Sequence, residues 1–229
     1  MAEMTREQFI AMQNQFNQRQ NSQNENTTHI QPWFRIKDGE EAIVRFAYKS
    51  ADDLKYMTVH KVKDGDSVYP RNVNCLRDFR DKIDTCPLCA VGDRPKQRMF
   101  IQLIAYTADE DGKIVPQPCI WEMAAQTWMT KLINYFQEYP DLVEQIFKIK
   151  RTGSGLDTTY TEMPANPKVY KNEDYPYDLS VFDDYTPLGT YALQDIAKED
   201  MYKYVALLEP KEETVDITEN LPKRTVHTF

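Results

Sequence analysis

Cys75-Leu76-Arg77-Asp78-Phe79-Arg80-Asp81-Lys82-Ile83-Asp84-Thr85-Cys86-Pro87-Leu88-Cys89 sets one cysteine ahead of a Cys-x-x-Cys turn, and His60 stands fifteen residues upstream of the first sulfur. Two thiols separated by two residues can chelate one ion from a single bend, because N–H groups in the bend point toward the sulfurs. Soft thiolates with one imidazole select zinc, which takes four ligands tetrahedrally. The expected ligands are His60, Cys75, Cys86 and Cys89. Cys119 is the rival for the fourth position, although the apolar run Ile114 to Trp121 around it reads as core. A redox Cys-x-x-Cys pair, or reduced structural cysteines, is the competing reading. Closed sites of three thiolates and a histidine are structural, so zinc is expected to staple a small insertion at about residues 60–95.

The segments flanking this insertion alternate with the period of strands. Ile43 to Lys49 sets Val44, Phe46 and Tyr48 against Arg45, Ala47 and Lys49, a half-buried strand with a basic face. Tyr56 to Lys61 is a second strand and leads into the cysteines. Met99 to Thr107 and Lys113 to Trp121 form a hairpin about the turn Asp109-Glu110-Asp111-Gly112. The period then changes: Trp128, Leu132, Tyr135, Phe136 and Tyr139 recur at helical steps, so Ala124 to Tyr139 is an amphipathic helix stopped by Pro140, with a short turn through Asp141 to Gln145. Ile146 to Arg151 and Asp157 to Thr161 are strands around the bend Thr152-Gly153-Ser154-Gly155, which lacks the pattern of a phosphate-binding loop. Residues 164–189, rich in Pro, Tyr and Asp, wrap the domain irregularly, and Thr190 to Leu208 has helical spacing.

Short strands, one helix before the last hairpin and a metal-stapled insertion describe an α+β, mainly β chain: an OB-fold barrel with a zinc-ribbon-like insertion and peripheral helices. The expected organisation is a flexible Gln/Asn-rich arm at 1–28 with one short helix, a core at 29–208, and an acidic disordered tail at 209–229. No apolar run approaches the ~20 residues that span a bilayer. The first residues lack the basic and apolar regions of a secretory leader, and metal-spaced cysteines suit a reducing cytoplasm.

The formal charge is −8. Residues 30–171 hold 21 basic and 20 acidic side chains, whereas residues 172–229 hold 5 and 13, so the acidic excess lies in the last quarter. A near-neutral middle with basic strands permits a polyanion site that an acidic tail competes for. Small barrels bind single strands by tracking phosphates with Lys and Arg and stacking bases on aromatic faces. The expected contacts are Arg45, Tyr48 and Lys49; Arg98, Phe100 and Tyr106; Lys148, Lys150, Arg151 and Tyr160; Arg77 and Arg80 in the insertion; and Trp121. The competing reading is core packing for each ring and ordinary surface charge for each cation.

His60, Cys75 and Cys86-x-x-Cys89 within such a barrel, with phrases such as Asp81-Lys82-Ile83-Asp84-Thr85-Cys86-Pro87-Leu88-Cys89 and Ile149-Lys150-Arg151-Thr152-Gly153-Ser154-Gly155-Leu156, resemble the zinc-containing single-stranded DNA-binding proteins of tailed bacteriophages. The resemblance covers about residues 30–208. It implies a non-enzymatic protein that coats unwound strands in DNA replication, recombination and repair in the host cytoplasm. It also implies self-association along the strand through the arm, and recruitment of replication or recombination proteins through the tail. Two features depart from that pattern: the arm is not basic, and the tail closes with Lys223 and Arg224 before Phe229. The rivals are a zinc-ribbon transcription or protein-interaction factor, and a metal-dependent nuclease using carboxylates such as Asp109, Glu110 and Asp111.

Overall fold

A computed structural model describes residues 33–63, 70–78 and 80–208. The expected arm with its short helix, and the acidic tail, lie outside the described residues. Seven strands form one antiparallel sheet: β1 (Glu41–Phe46), β2 (Met57–Val62), β3 (Arg71–Asn74), β4 (Lys96–Ala108), β5 (Ile114–Ala124), β6 (Phe147–Thr152) and β7 (Thr159–Pro164). Among the described residues three α-helices accompany it: α1 (Pro87–Ala90), α2 (Ala125–Glu138) and α3 (Lys198–Val205). The strand order is β3-β2-β4-β1-β6-β7, with β5 on the far edge of β4. This is a mainly β, α+β fold. Its ladders do not close into a ring, for no pairing among the described residues joins β3 or β5 to β7.

β4 is the long element, thirteen residues, and β5 lines its whole outer edge from Arg98↔Ala124 to Ala108↔Ile114. A strand proline is tolerated where its missing N–H points away from the partner, so Pro116 and Pro118 leave donor-free positions on the outer edge of β5. The inner edge of β4 is divided. β1 pairs with its second half (Phe46↔Leu103) and β2 with its first (Met57↔Arg98), both antiparallel. β1 and β2 are therefore one line of chain interrupted by an excursion from Ala47 to Tyr56. At the break the Ala47 N–H donates to the Gln102 carbonyl at 3.0 Å, and the Gln102 N–H donates to the Tyr48 hydroxyl oxygen at 3.1 Å. The ladder stays satisfied although the strand departs.

Both sheet faces are covered. On one, Ala125, Trp128 and Leu132 of α2 bury against Phe46, Leu103, Trp121 and Phe147. The rings pack at angles, Trp121 to Trp128 at 4.5 Å between centroids and Phe46 to Phe147 at 5.0 Å. Truncating one such ring to alanine costs about 3–5 kcal/mol. On the other face a strap of chain, Tyr175 to Leu193, packs Phe182, Ala192 and Leu193 onto Val59, Phe100, Ile104 and Ile120.

The strap overturns the expected basic face of β1. Arg45 is fully buried. Its Nε donates to the Tyr106 hydroxyl at 2.9 Å, Nη1 to the Val143 carbonyl at 2.8 Å and Nη2 to Asn172 Oδ1 at 2.8 Å, and the guanidinium lies over the Tyr177 ring. Asn172 and Tyr177 both bond Glu144, which relays a counter-charge to the buried cation. The Tyr106 hydroxyl in turn donates to the Tyr175 carbonyl at 3.2 Å. Tyr48 (5% exposed), Tyr106 (7%) and Trp121 (4%) are core rings with no free face for a base. Burial pushes the Tyr106 hydroxyl up to about 12, against the pull of Arg45, so it stays a neutral donor.

The expected hairpins and α2 stand where their patterns set them. β3 and α1 carry no strong periodic signal and emerge only in the structure. The helical spacing expected over Thr190 to Leu208 yields helix only for Lys198–Val205. Before it, the Gln194 N–H donates to Asn72 O and the Gln194 carbonyl accepts from Asn74 N, so sheet pairing overrides local propensity there. Gly153 closes the β6–β7 bend at φ 86°, where a Cβ would stand 2.4 Å from the Asp157 carbonyl oxygen. Among the described residues no helix is long and apolar enough to cross a membrane.

Replacing Arg45 by methionine leaves the Tyr106, Val143 and Asn172 acceptors unpaired behind the strap. The expected loss is about 2–4 kcal/mol in urea unfolding, and a change below about 0.5 kcal/mol would contradict the clamp.

Candidate metal centre and adjoining cleft

His60 lies on β2 with its ring turned away from the strap, 1% exposed. The β2–β3 hairpin (Val59↔Asn74) returns the chain to its side, and the Cys75 N–H donates to Thr58 O at 3.0 Å. Cys86 precedes α1, a single turn opened by Pro87 and closed by Ala90 N–H to Cys86 O at 3.0 Å, which presents Cys89 on the same side as Cys86. His60 Nε2 is 3.5 Å from Cys86 Sγ and 3.5 Å from Cys89 Sγ, and Cys75 Sγ is 3.7 Å from Cys89 Sγ. All four ligand atoms lie within 4.8 Å of one another, and the cluster is placed to hold a metal ion.

The edges test the fit. A tetrahedral ion about 2.3 Å from sulfur and about 2.0–2.1 Å from nitrogen separates sulfurs by about 3.8 Å and sulfur from nitrogen by about 3.5 Å. The Cys75–Cys89 edge and the two His60–sulfur edges to Cys86 and Cys89 match, and the remaining edges stay within 4.8 Å. His60 Nδ1 meets Asp93 Oδ2 at 2.6 Å, which fixes the tautomer that turns the Nε2 lone pair toward the sulfurs. Asp93 is brought there by its own N–H to Leu88 O at 3.0 Å, after Gly92 at φ 87°. Burial pushes the Cys75 thiol up to about 12, with the neighbouring sulfurs adding to it. Burial also opposes ionisation of Cys86, yet N–H groups of Cys89, Leu76 and Leu88 outweigh it and its thiol is lowered. A divalent cation would reconcile three crowded sulfurs with burial.

Cys119 takes no part. It is buried on β5 in the α2-side core, where burial pushes its thiol up to about 12. All four cysteines are free, and the Cys75–Cys89 separation is not that of a bonded pair. The centre also has a packing role. Cys86, Leu88 and Cys89 form a third core with Val62, Val73, Ile196, Met201 and Tyr204, so the cluster seats α3.

The expected nucleic-acid residues separate into groups. Arg77, half-buried, lies against the thiols, where it opposes the burial that pushes Cys89 up. Three thiolates and one imidazole around a divalent ion would carry net negative charge, which Arg77 would offset. Arg80 is exposed at the insertion. Lys148 and Lys150 share the strap-side face of β6, Lys148 pairing with Glu41 at 2.9 Å and lying over Tyr170. Arg151 and Tyr160 oppose each other across the ladder on the other face: Arg151 Nη1 donates to Ile36 O, and Tyr160 packs on Trp121. The expected set of Lys148, Lys150, Arg151 and Tyr160 is therefore split by the sheet, because positions 148 and 151 differ in parity.

Lys49, Tyr48 and Phe100 do meet, at a cleft of about 500 Å³ beside the broken β1–β2 line. One wall is the excursion, with Lys49, Asp53, Lys55 and Tyr56; the floor is Phe100 and Gln102; the strap supplies Phe182, Asp183 and Tyr185. Phe100 is only 6% exposed, whereas Tyr56, at the rim, is 51% exposed. Register sets a cation row beside the cleft: Met57↔Arg98 and Val59↔Lys96 place Arg98 and Lys96 on the face that carries Phe100, with Lys61 next along β2. Glu122 bonds Lys61 at 3.0 Å and Arg98 at 3.2 Å, and Lys96 is exposed. Sequence reading missed Tyr56, Lys61, Lys96, Gln102 and Asp93. Asp93, four residues after Cys89, had a spacing signal; the cleft walls, more than a hundred residues apart, had none.

No family model matches the chain, and no curated protein or solved structure matches it.

Asp93→Asn should weaken metal binding about 10–100-fold by releasing the His60 ring while leaving every ligand in place. Competition with a chromophoric chelator reads this directly, and unchanged affinity would remove Asp93 from the centre.

Proposed function

We propose that the chain binds single-stranded nucleic acid without sequence preference, on the strap-side face where the aromatic cleft meets the row Lys61, Lys96 and Arg98. That juxtaposition carries the reading, because a strand needs phosphates tracked and bases stacked at adjoining points. Cations released from the phosphates supply the affinity, and rings at the cleft hold the bases. The sheet is read as a partly open OB-like barrel in which β4 serves two partners along one edge.

The ion of the cysteine–histidine centre is read as zinc, on the softness of three sulfurs and the tetrahedral edges. It fixes the β2–β3 hairpin and α1, and through them the cation row. A centre with four protein ligands has no position left for a substrate, which supports a binding protein over an enzyme. The resemblance to phage single-strand binding proteins supplies the context: coating of unwound strands in replication, recombination and repair in the host cytoplasm. The arm at 1–28 would join neighbouring copies, and the tail at 209–229 would engage other replication proteins.

Quenching of tyrosine and tryptophan fluorescence by oligo-dT tests the reading. Affinity should fall linearly with salt on logarithmic axes, with a slope of about −0.7 per phosphate contacted. Lys96→Ala should weaken binding and flatten that slope by about one contact. Absence of binding at low ionic strength would reject the function.

A further inference from the structure

Gln102 occupies an unusual position. Its backbone N–H and carbonyl are both held on the β1 side, by the Tyr48 hydroxyl oxygen and the Ala47 N–H, so its side chain rises from a set point on the cleft floor. Among the described residues that side-chain amide has no hydrogen-bond partner, although it is half-buried. An amide offers one acceptor and two donors side by side, and a ligand edge that matches both can replace the water they otherwise meet.

The surroundings narrow what could satisfy it. Phe100, Phe182, Tyr185 and Tyr56 supply flat apolar surface, and about 500 Å³ lies within the range of small-molecule sites. The charges of the lining cancel: Lys49 and Lys55 stand against Asp53 and Asp183, with Lys49 paired to Asp183 at 3.8 Å. Burial pushes the Tyr48 and Tyr185 hydroxyls up, so both stay neutral. A phosphate gains nothing inside such a lining. Its place is outside, on the cation row that begins at Arg98, two residues from Phe100 along β4.

We infer that the cleft accepts one unstacked nucleobase, set between Tyr56 and the rings of the strap, with its hydrogen-bonding edge on the Gln102 amide. The inference rests on the single-strand reading and modifies it at one position: a single base is read by its edge, while the rest of the strand is held without sequence preference. A paired donor and acceptor on the base edge, as adenine presents through its amino group and N7, makes the bidentate match to a glutamine amide. The base stacks on a ring, and its phosphate leaves toward Arg98 and Lys96.

Adenosine, which has a base and no phosphate, is the direct probe, followed by the side-chain amide resonance of Gln102 and the ring resonances of Tyr56 in the full-length protein. The expected result is a saturable shift that salt does not abolish, and none with deoxyribose 5-phosphate. Gln102→Leu removes the amide and should weaken adenosine binding about tenfold or more. Tyr56→Ala, at an exposed site that does not threaten folding, should weaken it about fivefold or more. Both variants should weaken capture of oligo-dA while leaving the slope of its salt dependence unchanged, because neither removes a phosphate contact. No saturable shift, or adenosine binding undiminished in both variants, overturns the inference. Oligonucleotide binding without adenosine binding sinks the base site alone; adenosine binding without oligonucleotide binding sinks the single-strand reading alone.

Discussion

The divided inner edge of β4 is the constraint on which the rest of the molecule depends. A thirteen-residue strand with β5 along its whole outer edge has two places for partners on the other side, and β1 and β2 take them in sequence. The chain between those two pairings has to leave the sheet and come back. Its departure opens the cleft, and its return delivers His60 and the strap-side residues of β2 to fixed positions. Because strand side chains alternate strictly, a slip of one residue in Met57↔Arg98 would turn His60 away from the cysteines and Lys61 away from the cation row.

Three cores divide the remaining stabilisation. The α2-side core is aromatic and holds the sheet from behind. The strap-side core replaces solvent with residues 175–193 and encloses Arg45, whose charge reaches Glu144 only through Asn172 and Tyr177. The third core surrounds the sulfurs and joins β2, β3, α1 and α3. This core would stabilise folding directly on taking up a metal ion, since the unfolded chain has no preformed site. It also links His60 early in the fold to Met201 near its end, with Cys86 Sγ 3.6 Å from Met201 Sδ.

The cysteine spacing was legible because chelation by a short turn is a local property, and His60 was legible as the end of an apolar-alternating strand. The Asp109–Gly112 hairpin and the helix before Pro140 were legible for the same reason: turn chemistry and helical period act over a few residues. Arg45 was misread. Its alternation with Val44 and Phe46 signalled a polar face, and nothing nearby announced that Asn172 and Tyr175 would cover it. Lys148, Lys150, Arg151 and Tyr160 were misread as one set because they are close in sequence, whereas the Arg151↔Tyr160 pairing put two of them behind the sheet.

By itself the sequence determined the candidate metal cluster, the principal turns, the period of each main element and the acidic excess of the last quarter, since each is written within a short span of chain. The tertiary structure alone decided which side of every strand meets solvent. Alternation states that a strand has two unlike faces, but what lies over them comes from other segments, for Arg45 from chain more than a hundred residues away. The strap therefore turned an expected binding face into core, and moved the accessible aromatic and cationic groups to the cleft where β1 breaks and β2 begins.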